Sequence, residues 1–477
     1  MAPIALFICV VFIAYLLMRD FRCRASVSAA IWIPTILLLI LGSRSLSEWF
    51  GQGVYITRMG NDAARSPIDE TFYLSVLVGS LIIVFLRRVK LSKLLAANST
   101  ITLLYLFFAV SVVWSGDPLG SSKRLCKDFG QLFVLSVILS EKDPLEAMRA
   151  IYFRCACVLF PLSVVFIRYY PRLGRGYSMA GEQMYTGVTT QKNSLGEIVL
   201  VFSLFLVWDW LETRPPGMRR LWSRIPWDRL ILLIIGAWLL DISQSKTALV
   251  CLVIGLVLIG RSGWLASRMI SRMVLLGALS VPFLLFFTQE FSWIISPLIE
   301  ALGRNMTFTG RANIWEHITA TTVNPIIGAG YWNFWGGKGG LAIMQAMQTV
   351  VPNAHCGYVD MYLDGGCIAL ILLLVVLFAS GKRLIRILPG TRYELLKLSI
   401  LIVAILYNLS ESNFFRLSPL WFTTLLAIID FPSRQAAVGT RENASIGNAR
   451  HSPTADLGQK VDRWRGVYQS DAIYKLS

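Results

Sequence analysis

The chain has 477 residues, of which 55% are hydrophobic and only 15% charged. A soluble domain carries roughly 25% charge, so this composition, with a mean hydropathy of +0.60, excludes a soluble multidomain enzyme. The net charge of +17 comes from 45 Lys and Arg against 28 Asp and Glu; on an apolar chain this is loop charge at a membrane surface rather than a nucleic-acid footprint.

Apolar runs of near membrane-helix length recur along the whole chain, and the alternating strand-length segments of a β-barrel do not appear. The fold class is therefore an all-α polytopic membrane protein with about 12–13 transmembrane helices. The runs fall at about 3–18, 27–42, 71–86, 100–114, 129–140, 147–167, 194–211, 229–241, 246–260, 271–288, 366–380, 396–410 and 417–430. The first, in "MAPIALFICVVFIAYLLMRDFRCR", has its positive charges after the apolar run and no small-residue cleavage site. It reads as a retained helix whose N-terminus faces outside. Segments 19–26, 87–99, 212–228, 261–270 and 381–395 are rich in Arg and Lys and fall on one side if all thirteen runs cross. The positive-inside rule makes that side cytoplasmic. Residues 1–430 then form the transmembrane domain, and the polar tail 431–477 reads as cytoplasmic and disordered. The eight cysteines are scattered and make no C-x-x-C pair, so they indicate neither zinc nor a disulfide framework.

One hydrophilic connection is long: residues 289–365, placed outside by the count. Its many aromatics, among them Trp315, Tyr331, Trp332, Trp335 and Tyr358, argue against disorder. "TGRANIWEHITATTV" reads as a helix, with Trp315 and Ile318 on one face. "NPIIGAGYWNFWGGKGG" breaks it, "LAIMQAMQTV" forms a second short helix, and a third begins near His355 and runs into the next span.

Basic residues recur on the outer side, against the general charge bias: Lys123, Arg124, Lys127, Arg168, Arg172, Arg175, Lys192, Lys246, Arg311 and Arg416. Singly each reads as a snorkelling or ion-paired side chain. Together they suggest a shared anionic ligand with the charge of a lipid diphosphate, which the planar Arg fork suits. His355 is the best proton acceptor among three histidines, since an imidazole can take a proton from a hydroxyl at neutral pH. Capping or packing at the interface is the equal alternative. On a helix, Tyr358 and Val359 would share its face and Asp360 would lie to one side. His317 reads as structural. Glu197, Asp209 and Arg154 lie in or near membrane segments. Glu411 and Asn413, in "NLSESNFF", could bind sugar hydroxyls or cap a helix. No carboxylate-rich outer motif appears, so no catalytic divalent metal and no other cofactor is expected.

"TGRANIWEHITATTVNPIIGAGYWNFW" (309–335) and "NAHCGYVDMYLDGG" (353–366) resemble the motifs of the O-antigen ligases and the O-antigen and exopolysaccharide polymerases of bacteria. They match a G-R-x-x-x-W segment with a P-x-x-G-x-G turn, then a histidine followed by an acidic residue and Gly. "TTQKNSLGEI" and "SQSKTALV" resemble weaker motifs of the family, and the likeness covers about residues 70–430. Where family members often have Asn after the histidine, this chain has Cys356.

The resemblance implies a metal-independent membrane glycosyltransferase of the C-type fold, in the bacterial inner membrane. It would polymerise or transfer undecaprenyl-diphosphate-linked oligosaccharide at the periplasmic face. Ligation to lipid A-core is the close alternative, and a transporter for lipid-linked oligosaccharide the rival from another class. Carried over, His355 would be the catalytic histidine, activating or orienting the acceptor hydroxyl, and Arg311 would contact the diphosphate or glycan. Arg124, Lys192 and Lys246 fall in outer segments that would face the diphosphate; the residue reading itself adds Lys127, Arg175, Asn193, Glu411 and Arg416 as candidates for the diphosphate or glycan, and Trp332 and Tyr358 as rings that either stack on sugars or anchor at the interface. Chain-length and export proteins are the implied partners, besides membrane lipid.

Overall fold

In hydrocarbon every backbone N–H and C=O needs an internal partner, so an apolar run can only be a helix unless it closes into a barrel. The computed structural model describes residues 1–24, 26–51, 66–177, 181–213, 226–260, 267–286, 311–388 and 391–431, and each of the thirteen apolar runs falls on a helix there. Helices α1 (Ala2–Cys23), α2 (Trp32–Leu41), the short α3 (Leu46–Trp49) and α4 (Pro67–Leu86) come first. They are followed by α5 (Leu91–Ala97), α6 (Ser99–Ser111), α7 (Pro118–Leu139), α8 (Pro144–Tyr169) and the one-turn α9 (Pro171–Gly174). After a small antiparallel hairpin, β1 (Arg175–Tyr177) with β2 (Gln183–Tyr185), come α10 (Lys192–Glu212), α11 (Trp227–Ser243), α12 (Lys246–Gly260) and α13 (Arg268–Phe286). The long connection supplies α14 (Arg311–Thr319) and α15 (Lys338–Met347). The chain then forms α16 (Gly357–Arg386), α17 (Arg392–Tyr407) and α18 (Pro419–Ile428). Among the described residues five helices (α1, α4, α8, α10 and α16) are long and apolar enough to cross a membrane alone, and α5 with α6, bent by 101°, makes a sixth if counted as one span.

The residues Met1–Asp430 form one compact unit; of the second, Phe431–Ser477, all but Phe431 lies outside the described residues, and so does the expected tail with His451. At the centre of the first unit α8 and α10 are the most enclosed of the long helices. There the Tyr152 and Phe205 rings stack at 3.6 Å, and the Tyr152 and Thr423 hydroxyls share a hydrogen bond of 2.8 Å. Helix starts are fixed locally. Asp117 caps α7 through Gly120 N at 3.0 Å, Ser418 caps α18 through Trp421 N at 3.1 Å, and each is followed by Pro at the first helical position.

Polar contacts gather at two ends. At one end Glu141 binds Arg87 and accepts from Ser28 Oγ at 2.6 Å, Asn98 Nδ2 donates to Asp430 O at 2.8 Å, and Asp209 lies 2.7 Å from Arg229 and 3.1 Å from Arg149. The buried Arg154–Asp20 pair, at 2.7 Å, links α8 to α1. At the other end Ser121 Oγ donates to Tyr331 O at 2.7 Å, the Thr247 and Ser410 hydroxyls meet at 2.6 Å, and Trp332 Nε1 donates to Phe415 O at 3.1 Å. Alternate connections thus meet at the same end, as the charge alternation in the sequence requires. The basic segments 212–228 and 261–270 lie mostly outside the described residues.

The "NPIIGAG" turn and the "DGG" sequence form one unit. Gly366, with φ 63° and ψ −161°, interrupts α16, so the carbonyls before it lose their helical partners. The turn supplies replacements: Ala329 N donates to Leu363 O and Gly330 N to Asp364 O, both at 2.9 Å, while Cys367 N donates to Pro325 O at 2.8 Å. This ladder brings backbone against backbone. A Cβ at Gly366 would stand 2.3 Å from the Ile326 carbonyl carbon, and one at Gly328 would stand 2.4 Å from Gly365 N. Gly366 is in a conformation that is essentially open to glycine alone. Gly366→Ala is expected to destabilise the protein by about 1–3 kcal/mol from backbone strain alone, with the clash added, read as a lowered melting temperature in detergent.

Candidate functional site

At the end that carries the long connection lies a cavity of about 560 Å³. Helix α4 contributes Asp69 and Tyr73 to its wall; α7 contributes Arg124, Lys127 and Asp128; α10 contributes Asn193, Ser194 and Glu197. The long connection adds Trp332, Trp335, Asn353 and His355, and the segment after α17 adds Glu411, Asn413 and Arg416. The sequence reading placed Lys123, Arg124 and Lys127 in a loop. They lie instead on α7, which begins at Pro118, well before the apolar run. Arg124, Lys127 and Asp128 have spacings of three and four, so one helical face aims them together.

His355 sits just ahead of α16 rather than on it. Its backbone is left-handed, φ 50°, and its N–H donates to Asn353 Oδ1 at 2.9 Å. For a non-glycine residue such a conformation costs about 1–3 kcal/mol and persists only where the surroundings enforce it. The imidazole Nδ1 lies 3.6 Å from Glu411 Oε2. The other carboxylate oxygen, Oε1, accepts from Asn193 Nδ2 at 2.6 Å, and the Tyr407 hydroxyl donates to the Asn193 carbonyl at 3.3 Å. Glu411 therefore links the first turn of α10 to the histidine.

A second set of contacts surrounds Trp332, itself at φ 54°. The Arg416 guanidinium lies 3.5 Å from the centre of its ring, and that of Arg124 lies at 5.6 Å while donating to Trp332 O at 3.1 Å. Arg416 also donates to Asp360 Oδ2 at 3.1 Å. Asp360 Oδ1 accepts from Trp335 Nε1 at 2.8 Å and from Ala354 N at 3.0 Å. One buried carboxylate thus ties the long connection, α16 and the 413–418 segment together. Deeper in, the Tyr331 hydroxyl donates to Asp128; burial pushes this phenol well above its usual range, so it stays a donor. Under the loop lies a small core of its own, in which Ile314 of α14, Phe334, Ile343 of α15 and Leu363 pack together.

Of the residues expected from the sequence, the cavity brings together His355, Arg124, Lys127, Asn193, Trp332, Glu411 and Arg416. Arg175, Lys192, Lys246 and Tyr358 are not among its lining residues. Arg175 donates to Ile167 O at 2.9 Å beneath the Tyr185 ring, and Lys246 is exposed at the start of α12. Tyr358 does not share a helical face with His355, because α16 starts at Gly357. Its side chain is buried in the bundle, and its hydroxyl donates to Ile405 O at 3.0 Å. Arg311 opens α14, and its side chain lies outside the described residues. His317 is held by Asn313 O at 2.7 Å on exposed helix surface.

Sequence reasoning passed over Asp360 as lying to one side. Its signal was a carboxylate in the first turn of a membrane-entering helix, which needs a buried partner. Glu197 was noted only as a charge in a span; it faces the cavity and accepts from Leu420 N at 3.0 Å.

Comparison with known proteins now bears on this arrangement. The sequence model of the O-antigen ligase family matches residues 230–374, a stretch that holds His355, Asp360, the Pro–Gly turn and the break at Gly366. The exopolysaccharide production protein ExoQ of Rhizobium meliloti (strain 1021) is 26% identical over 295 residues, 59% of this chain and 64% of its own length. Over residues 230–374 the chain is thus similar to the O-antigen ligase family. The match to ExoQ spans less than two thirds of that relative. The family match ends before Glu411 and Arg416 and begins after Arg124, so the cavity joins family-matched residues to side chains outside the matched region.

Proposed function

We propose that the protein transfers a lipid-diphosphate-linked oligosaccharide onto a sugar hydroxyl at the outer face of the bacterial inner membrane, lengthening an exopolysaccharide or O-antigen without a divalent metal. The observation that carries this reading is one cavity walled by a histidine–carboxylate pair, His355 and Glu411, and by three cations, Arg124, Lys127 and Arg416. The chemistry needs both halves. His355 Nδ1 is turned to Glu411, which leaves Nε2 to take the proton from the acceptor hydroxyl. That oxygen then bonds to the anomeric carbon while the bond from carbon to the diphosphate oxygen breaks. The diphosphate departs on its lipid, and its growing charge meets preorganised cations in a partly dry site. Arg311, from the long connection, is assigned to the same anion.

The test uses purified protein in proteoliposomes with undecaprenyl-diphosphate-linked oligosaccharide. Elongated lipid-linked glycan is expected, with no loss of rate in EDTA. A product formed only when lipid A-core is supplied would favour ligation, the reading that the name of the matched family supports. Movement of intact donor across the bilayer without a new glycosidic bond would overturn both in favour of a transporter.

A further inference from the structure

The connection between α2 and α3 touches two walls of the polar cavity at once. Ser45 lines the cavity. Ser47 donates its backbone N–H to Asp69 Oδ1 at 3.1 Å and its hydroxyl to Asp69 Oδ2, and Asp69 belongs to the α4 wall. On the other side Arg44, half-buried, donates from Nη2 to Thr189 O at 3.1 Å and to Leu173 O. The local fold aims this side chain. Ser45 and Glu48 close a capping box at the start of α3, and the Trp49 ring centre lies 5.7 Å from the Arg44 guanidinium. Arg44 is an outer cation, yet it is not among the residues that line the cavity. Its fork is spent on two backbone carbonyls rather than offered to an anion.

Those carbonyls belong to one folded turn. Gly174 O accepts from Thr186 N at 2.9 Å and from Gly187 N at 3.1 Å. Thr189 Oγ1 lies 2.7 Å from Thr186 O and 2.8 Å from Gln191 O. The turn leads through Thr190 and Gln191, both exposed and both in the cavity wall, to Asn193 in the first turn of α10. Asn193 donates to Glu411 Oε1 at 2.6 Å, and Glu411 Oε2 stands 3.6 Å from His355 Nδ1. Polar contacts therefore run without a gap from Arg44 through Thr189 and Asn193 to the imidazole. The segment at their start, residues 44–47, lies outside the family-matched stretch.

We propose that Arg44 is a positioning residue for the histidine–carboxylate pair: by pinning the Leu173 and Thr189 carbonyls it fixes Asn193, and through it the Glu411 carboxylate that orients His355. The role rests on the reading under Proposed function, which gives the pair its task. Arg44 meets neither donor nor acceptor, so its loss should disturb the orientation of the imidazole and leave the diphosphate cations alone.

A chain with three histidines allows that orientation to be read directly. In a His317→Gln/His451→Gln background, purified without a polyhistidine tag, His355 is the one imidazole of the chain. With isotope-labelled histidine in nanodiscs, nitrogen NMR reports which ring nitrogen carries the proton of the neutral ring. The proton is expected on Nδ1, toward Glu411, in the parent protein. Arg44→Ala and Asn193→Ala are both expected to shift it toward Nε2. In proteoliposomes with undecaprenyl-diphosphate-linked oligosaccharide, Arg44→Ala should lower kcat about tenfold to a hundredfold, as small misplacements of a catalytic group do, with KM for the donor little changed. Added to Asn193→Ala it should cost little more, since both changes break one path. Arg44→Lys keeps the charge without the planar fork and should fall between, which preserves the test if the alanine variant does not fold. An unchanged ring tautomer in the Arg44 variants, or losses that multiply in the double variant, would overturn the proposal. A ring that responds as expected in a protein that forms no glycosidic bond would instead sink the proposed function and leave the brace standing.

Discussion

Replacing His355 by alanine is expected to lower glycosyl transfer by about 10²–10⁴-fold, the usual contribution of a positioned acid–base group, while folded protein is recovered in normal yield. The imidazole is partly exposed, and its Nδ1 lies 3.6 Å from Glu411 Oε2. Its removal leaves Glu411 with Asn193, so no carboxylate is stranded. The effect should fall on kcat more than on KM, because the cations that hold the diphosphate stay in place. Glu411→Gln should cost less than His355→Ala. The amide can still accept from Asn193, yet it no longer favours a cationic imidazole during proton transfer. Rates from reconstituted protein at saturating donor would decide the matter. A His355→Ala enzyme of full rate would remove the histidine from the chemistry, whatever its surroundings.

Much of the bundle was legible because lipid leaves so few options. A run such as 147–167 has one way to satisfy its backbone in hydrocarbon, and it forms α8. Side-chain direction is a different matter. His355 and Tyr358 look like neighbours on one helical face only if the helix includes both. The left-handed backbone at 355 starts it two residues later and turns Tyr358 into the core. Charge sign misled in a similar way. Every outward cation is equally attractive for a diphosphate when only sign and side are known, so Arg175 ranked with Arg124. Yet Arg175 is used on the Ile167 carbonyl, whereas Arg124 lies on the α7 face that also carries Lys127 and Asp128. The pairings that define the site join distant residues, His355 to Glu411 and Asp360 to Arg416. No local period in the sequence reports contacts of that kind, since helical spacing relates only residues three or four apart.

Asp360→Ala is expected to be the most damaging single change to the site's structure. The carboxylate is buried and has three donors: Arg416, Trp335 Nε1 and Ala354 N. Removing it leaves the Arg416 guanidinium buried without its counterion, a situation that costs about 3–5 kcal/mol in comparable pairs. Two further N–H groups lose their acceptor at the same time. The consequence reaches the cavity, because Arg416 lies on the Trp332 ring and Ala354 adjoins His355. Activity should therefore fall even under conditions where the bundle stays folded. Tryptophan emission should shift to the red as Trp332 and Trp335 meet water, and the melting temperature should drop. Asp360→Asn separates charge from shape. The amide oxygen can still accept from Trp335 and Ala354, but the neutral group leaves Arg416 unbalanced, so stability should fall by less while activity falls nearly as far. An Asp360→Ala protein with unchanged emission, melting temperature and rate would mean that Arg416 holds its place over Trp332 without the carboxylate. The platform would then owe its order to ring packing rather than to this ion pair.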